Sequence, residues 1–188
     1  MTAPAVFTTV STRAEVRQIL ELQAANLPGA LSPGVIASQG FVTVKHDAEV
    51  LQRMNDAAPS VIATADGQVV GYALVMLREF APDVPVLRPM FARLDGLSWQ
   101  ARPLRDNPRW FVMGQIYVAA AHRGQGLVDG LYATMKEIYR HQYDFTVTEI
   151  AARNTRSRRV HERVGFQTFH TYPDDATGEI WHVCAMEL

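Results

Sequence analysis

A mixed α/β (α+β) fold, with helices packed on a sheet, is predicted by three features of the sequence. A strand–turn–strand signal occupies residues 61–76, and a strand–helix–strand–helix–strand–strand order fills residues 110–186. The composition, 48% apolar and 20% charged, is that of a chain that buries a core rather than one that stays disordered. At 188 residues the chain has the length of a single domain, 1–188, and needs no disulfide or metal staple.

The elements follow in order. Thr12 and Glu15 have capping-box spacing, and Val16, Ile19, Leu20 and Ala24 recur at helical intervals, which predicts a helix over 13–26. Residues 27–40 hold two prolines and three glycines and read as a loop; a short helix is expected over 48–54. Asp66-Gly67 between residues 61–65 and 69–76 is the tight-turn pair of a hairpin. Residues 78–109 contain five prolines and little periodicity, and read as a lid or substrate-side insertion. A strand is expected over 110–118, and an amphipathic helix from Leu127 to Tyr139 carries Leu131, Tyr132, Met135 and Ile138 on one face. A strand over 145–152, a helix over 155–164 stopped by Gly165, and strands over 166–172 and 179–186 complete the chain.

Charge and composition exclude several function classes. With 18 basic and 19 acidic side chains the net charge is −1, so the chain is not a generic nucleic-acid binder. No apolar run exceeds six residues, against the ~20 that a membrane span requires. The first ten residues carry no Lys or Arg ahead of their apolar stretch and make a poor secretory signal, so a soluble cytoplasmic protein without membrane or nucleic-acid partners is expected. Six scattered histidines and one cysteine show no metal-ligand spacing, and no metal site is expected. Cys184 with His182 two residues away is a poor acyl-enzyme pair, because a lone cysteine is most often buried and inert.

The chemistry concentrates where the strand over 110–118 runs into the helix at 127. A helix start presents unpaired N–H groups and about half a positive charge, and Gly124 and Gly126 let an anion approach them closely. A dinucleotide fingerprint would need glycine at 129, where Asp129 stands, and a P-loop would need Gly-Lys-Ser/Thr. Farther on, Asn154, Ser157 and His161 share one arc of a helix, beside a stripe of Arg156, Arg159 and Arg163. Residues 151–163 hold five arginines and one glutamate, which reads equally as a solvated face or as a partner for a phosphate.

The segment Ile116-Tyr117-Val118-x-x-x-x-Arg123-Gly124-Gln125-Gly126-Leu127-Val128 resembles the acyl-CoA signature, Arg/Gln-x-x-Gly-x-Gly/Ala after a strand, of the GCN5-related N-acetyltransferase (GNAT) family. Val128 stands at the last small position, where its backbone N–H is unchanged. The run Asn154-x-x-Ser157-x-x-x-His161-x-x-x-Gly165-Phe166 resembles the family's downstream motif, and the likeness extends over about residues 60–186. The resemblance implies a mostly antiparallel sheet flanked by helices, whose two central parallel strands, 110–118 and 145–152, splay apart around the pantetheine arm of acetyl-CoA. It implies a pyrophosphate on the N–H groups of Gly124, Gln125, Gly126, Leu127 and Val128, with Arg123 at the cradle. It also implies backbone bonds from Ile116 and Val118 to pantetheine, and Asn154 and Ser157 beside it. The implied reaction is direct transfer of acetyl to a primary amine of a small molecule or peptide within a ternary complex; a homodimer is common in the family.

Attack on a thioester requires a neutral amine, and an alkylammonium has a pKa near 10.4, so a proton acceptor is needed. Many relatives carry a tyrosine acid at the position of His161, and imidazole can give a proton to the departing sulfur. Some carry a glutamate base on the strand matching 110–118; here that strand has no carboxylate, and Glu149 on the next strand is the nearest acid in the sequence. These two differences leave open the alternative of a catalytically inactive acyl-CoA-binding module on the same fold.

Overall fold

The computed structural model describes residues 4–30, 32, 34, 44–175 and 177–188. Among these, seven strands form one sheet in the order β1-β2-β3-β6-β7-β9-β8: β1 (Val6–Thr9), β2 (Val61–Ala65), β3 (Gln68–Met76), β6 (Trp110–Val118), β7 (Phe145–Ala151), β8 (Gln167–Pro173) and β9 (Ile180–Glu187). Every neighbouring pair is antiparallel except β6 and β7, which run parallel. The sheet therefore has the mixed, mostly antiparallel character expected. The loop expected over 27–40 lies, at 31, 33 and 35–40, outside the described residues.

Two apolar layers sandwich the sheet. On one face α1 (Arg13–Ala24) and α2 (Ala48–Ala57) cover Tyr72, Leu74 and Met76 with Ile19, Leu51 and Met54. The capping box of α1 is formed as the sequence predicts: Thr12 accepts from the Glu15 N–H, and Glu15 accepts from the Thr12 N–H at 2.8 Å. On the other face α4 (Leu127–Tyr139) buries Leu127, Leu131, Tyr132, Met135 and Tyr139 against β2, β3 and β6. Each of these large side chains contributes about 1.5–3 kcal/mol. α5 (Thr155–Val164) packs beside α4 and ends at Gly165. The hairpin turn is built as expected, with Asp66 at φ 50° and Gly67 at 74°.

Two expectations need revision. β1 was not foreseen; it pairs along β2, and the Phe7 ring lies directly over Gly130, where an added Cβ would sit 2.1 Å from the ring tip. That close approach accounts for a glycine inside α4, where it costs about 1 kcal/mol of helix propensity. Nor are residues 78–109 an uncommitted loop. They fold into short 3-10 turns, α3 (Arg88–Leu94) and a small hairpin of β4 (Ser98–Trp99) and β5 (Arg102–Pro103). Phe91, Leu94, Trp99 and Leu104 are buried in the same cluster as Trp110 and Phe145, and the Trp110 indole donates to the Leu104 carbonyl at 2.9 Å. Pro89, the one proline inside this helix, sits in its first turn, where a missing N–H costs nothing.

Because Trp99 is only 4% exposed and its ring centre lies 4.9 Å from that of Phe145, the segment is part of the core. Trp99→Ala should lower unfolding free energy by about 3 kcal/mol or more, measured by denaturant titration. A change within about 0.5 kcal/mol would mean the segment is a detachable flap.

Candidate functional site

The parallel pair is short. β6 and β7 are in register only from Trp110↔Phe145 to Val112↔Val147. Farther on, β6 stays with β3 and β7 stays with β9, so the two strands part. The gap is lined by residues 113–116 of β6, residues 148–151 of β7, Trp181 of β9, the α5 N-cap Asn154, and Ser157 and His161 of α5. Backbone direction follows from one hydrogen bond: Ala119 N–H donates to the Val70 carbonyl at 2.8 Å. Alternation along a strand then turns the peptide groups of Val118 and Ile116 away from β3, toward the gap.

At the mouth of the gap β6 ends, a 3-10 turn (Ala120–His122) follows, and the chain enters α4 through Gly124 (φ 77°) and Gly126 (φ 76°). A Cβ at either glycine would meet nothing within 4 Å. The left-handed backbone, rather than crowding, calls for glycine here, and the missing side chains leave the helix start open. Gly126 is the N-cap and offers no capping side chain. The first N–H groups of α4, those of Leu127, Val128 and Asp129, have no acceptor within the helix and point at the opening. Together these elements enclose a cavity of about 400 Å³ between the tips of α4 and α5.

Ile116, Val118, Arg123, Gly124, Gly126, Leu127, Val128, Asn154, Ser157 and His161 all line that cavity. Gln125 is exposed and turns back to donate to the Ala121 carbonyl at 3.3 Å. Arg123 also folds back, its Nε donating to the Val118 carbonyl at 3.0 Å and its Nη2 to the Tyr117 hydroxyl at 3.4 Å, which ties the glycine loop to the end of β6. Asn154 caps α5, its Oδ1 accepting from the Ser157 N–H at 3.3 Å, so its amide nitrogen is the group left to donate. Of the basic stripe, Arg156 and Arg163 reach the cavity wall, Arg163 paired with Asp129 of α4. Arg158 pairs with Glu162 and Arg153 with Glu179.

His161 is 3% exposed. Its Nδ1 lies 2.7 Å from the Ser157 carbonyl, which can only accept, so Nδ1 carries the hydrogen. Nε2 then accepts from the Tyr132 hydroxyl at 2.9 Å. Burial pulls the imidazole pKa down to about 4, against a smaller opposing effect of the Ser157 bond, so the ring is neutral around pH 7. The Ser157 hydroxyl sits 3.2 Å from the same Nδ1, and its own hydrogen is available to the cavity.

Glu149 lies on the opposite face. Along β7 it shares the side of Phe145 and Val147, the α1 and α2 side, and it reaches the gap from there. Burial pushes its carboxyl up to about 7, against the hydrogen bond from Tyr172 and the charge of Arg93. Tyr172 donates to Oε2 at 2.9 Å; Oε1 is buried with no partner among the described residues. Neither Tyr172 nor Arg93 stood out in the sequence. Cys184 is buried beside Thr168, and the imidazole of His182 bonds Thr171 at 3.0 Å rather than the thiol.

Residues 35–166 match the model of the acetyltransferase (GNAT) family. No curated protein matches the chain. Among solved structures, yncA of Salmonella typhimurium with its cofactor acetyl-CoA is 18% identical, with TM-score 0.63, covering 99% of this chain and 95% of that one. A ribosomal-protein-alanine N-acetyltransferase from Brucella melitensis is 20% identical, with TM-score 0.63, over 97% of this chain and 99% of its own. Arabidopsis thaliana NAA60 in complex with acetyl-CoA is 10% identical, with TM-score 0.66, over 98% of this chain and 100% of its own.

With both ring nitrogens engaged inside the protein, His161 should show the neutral Nδ1–H form from about pH 5.5 to 8. Nitrogen NMR of the imidazole checks this, and a protonation midpoint near 6.5 would contradict it.

Proposed function

The chain belongs to the acetyltransferase (GNAT) family, and from that premise we propose that it transfers acetyl from acetyl-CoA to a primary amine by direct attack within a ternary complex. The single observation that carries the reading is the gap between β6 and β7. It joins an uncapped helix start on one face of the sheet to a carboxylate on the other.

Acetyl-CoA fits these residues as donor substrate. Its pyrophosphate would lie on the N–H groups of Leu127 and Val128 behind Gly124 and Gly126, and Arg156 supplies positive charge at the cavity wall, where Arg163 is paired with Asp129. The peptide-like pantetheine arm would bond the backbone of Ile116 and Val118, in place of the strand partner that β6 lacks there, with the Asn154 amide nitrogen as a further donor. The acetyl group contributes the electrophilic thioester carbon.

The amine approaches from the α1 and α2 face, where Glu149 lies. A free ammonium near pKa 10.4 outbids a carboxylate near 7 by about three units, so Glu149 does not strip the ammonium beforehand. The amine attacks neutral, its nitrogen becomes acidic as the C–N bond forms, and the proton passes to Oε1. Collapse of the tetrahedral adduct then breaks the C–S bond. An ordinary thiol has a pKa of about 8.5, so the leaving sulfur needs little more than a hydrogen bond near neutrality. His161, assigned the acid role from sequence, would fill it only as a cation that burial disfavours. The Ser157 hydroxyl is the donor in this reading, with His161 holding it in position. A non-catalytic acyl-CoA-binding module is not favoured, because Glu149 supplies the carboxylate that β6 lacks.

The experiment is a thiol-release assay with acetyl-CoA and a panel of amines: a peptide α-amine, the acceptor type in the name of the Brucella relative, a polyamine and an arylalkylamine. Glu149 must be deprotonated to act, so kcat/KM should rise as pH increases through about 7. Glu149→Gln should lower kcat by about 100-fold or more and remove that limb. Wild-type kcat in this variant would contradict the base assignment. Gly126→Glu puts a carboxylate in the cradle and should weaken acetyl-CoA binding by about tenfold or more in calorimetry; unchanged affinity would contradict the pyrophosphate site.

A further inference from the structure

Buried carboxylates are normally paired, because an oxygen left unsatisfied keeps its full desolvation penalty. Glu149 is an exception. Among the described residues no cation makes an ion pair with it, Oε2 has the Tyr172 hydroxyl at 2.9 Å, and Oε1 is buried without a partner at the edge of the gap. Tyr172 is itself held: the Arg93 guanidinium carbon lies 3.6 Å from its ring centre, close enough for a strong cation–π contact. Three residues from three distant stretches of chain thus form one line, from α3 through β8 to β7.

We propose that Tyr172 and Arg93 are positioning residues for Glu149, the hydroxyl fixing one carboxylate oxygen so that the other is presented to the amine proton, and the guanidinium fixing the tyrosine. The proposal rests on the assignment of Glu149 as proton acceptor. It gives residues 78–109 a part in the chemistry, because α3 supplies Arg93. A purely structural carboxylate would have taken Arg93 as a direct partner and satisfied both oxygens. Here the cation stands one residue back, so it draws on the carboxyl without occupying Oε1.

The arrangement also sets when Glu149 ionises. Tyr172 donates to the charged form and Arg93 attracts it, and both oppose the desolvation that drives the carboxyl up to about 7. The other titratable groups nearby are His170, stacked on Tyr172 at 6.1 Å, Cys184 on β9, and His161 across the gap.

The test is a pH titration of isotope-labelled glutamate side-chain carboxyls by NMR in the full chain, with Glu149→Gln identifying the Glu149 signal. Tyr172→Phe keeps the ring and removes the donor; Arg93→Met keeps the length and removes the charge. Each should move the Glu149 midpoint upward from about 7, Tyr172→Phe by roughly one pH unit and Arg93→Met in the same direction. The acid limb of kcat/KM for the fastest amine of the panel should move with it. A merely structural pair would change the melting temperature and leave the midpoint in place. A midpoint unmoved in both variants overturns the proposal, and Arg93→Met decides alone if Tyr172→Phe does not fold. Failure of the underlying assignment is distinguishable: Glu149→Gln would then transfer acetyl at the wild-type rate, whatever the midpoints do.

Discussion

Backbone hydrogen bonding between two parallel strands, and its interruption after three residue pairs, is the constraint on which the rest of the site depends. Up to Val112 and Val147 the sheet is continuous, and the aromatic core of Trp110, Phe111 and Phe145 holds the strands together. Past that point each strand is committed to its other neighbour, β6 to β3 and β7 to β9. The separation is thus enforced by pairing on both flanks rather than by anything inside the gap. Peptide groups left facing the gap are a standing demand for hydrogen-bond partners. An extended, amide-containing molecule is the kind of ligand that meets it.

In the proposed reaction the opening also separates the two halves of the chemistry. One face of the sheet carries the start of α4, the tip of α5 and the neutral Tyr132–His161–Ser157 chain. The other carries Glu149, Tyr172 and Arg93. An anion-binding helix start and a proton-accepting carboxylate placed together would favour each other's neutralisation. Held on opposite sides of the sheet and joined only through the gap, each keeps its own electrostatics. Burial acts in both places but with opposite sign: it holds His161 neutral by lowering its pKa and makes Glu149 a better base by raising its pKa.

What could be read from the sequence was whatever depends on neighbours along the chain. The capping box at Thr12 and Glu15, the Asp66-Gly67 turn, the apolar stripe of α4 and the glycine pair at its start are all local patterns, and the fold contains each of them. Features set by distant packing were hidden. Four residues of β1 are too few to show a period, and α3 is masked by Pro89 in its first turn and by Pro82 and Pro85 in the turns before it. Glu149 stood out as the nearest acid, but its partner did not. Tyr172 reaches it past β9, and a register shift between Thr168 and His170 erases any simple count along the strands. Nothing in the spacing of His161 reveals that Tyr132, twenty-nine residues away in sequence, holds its second nitrogen.

Hydrogen–deuterium exchange with and without acetyl-CoA tests the central claim most directly, because the claim concerns which backbone N–H groups lack partners. Added acetyl-CoA should slow exchange in two stretches, residues 113–118 of β6 and residues 124–130 at the start of α4, while β2 and β3 on the far side of β6 stay unchanged. Protection that spares both stretches, or that falls instead on the α1 and α2 face, would contradict the account.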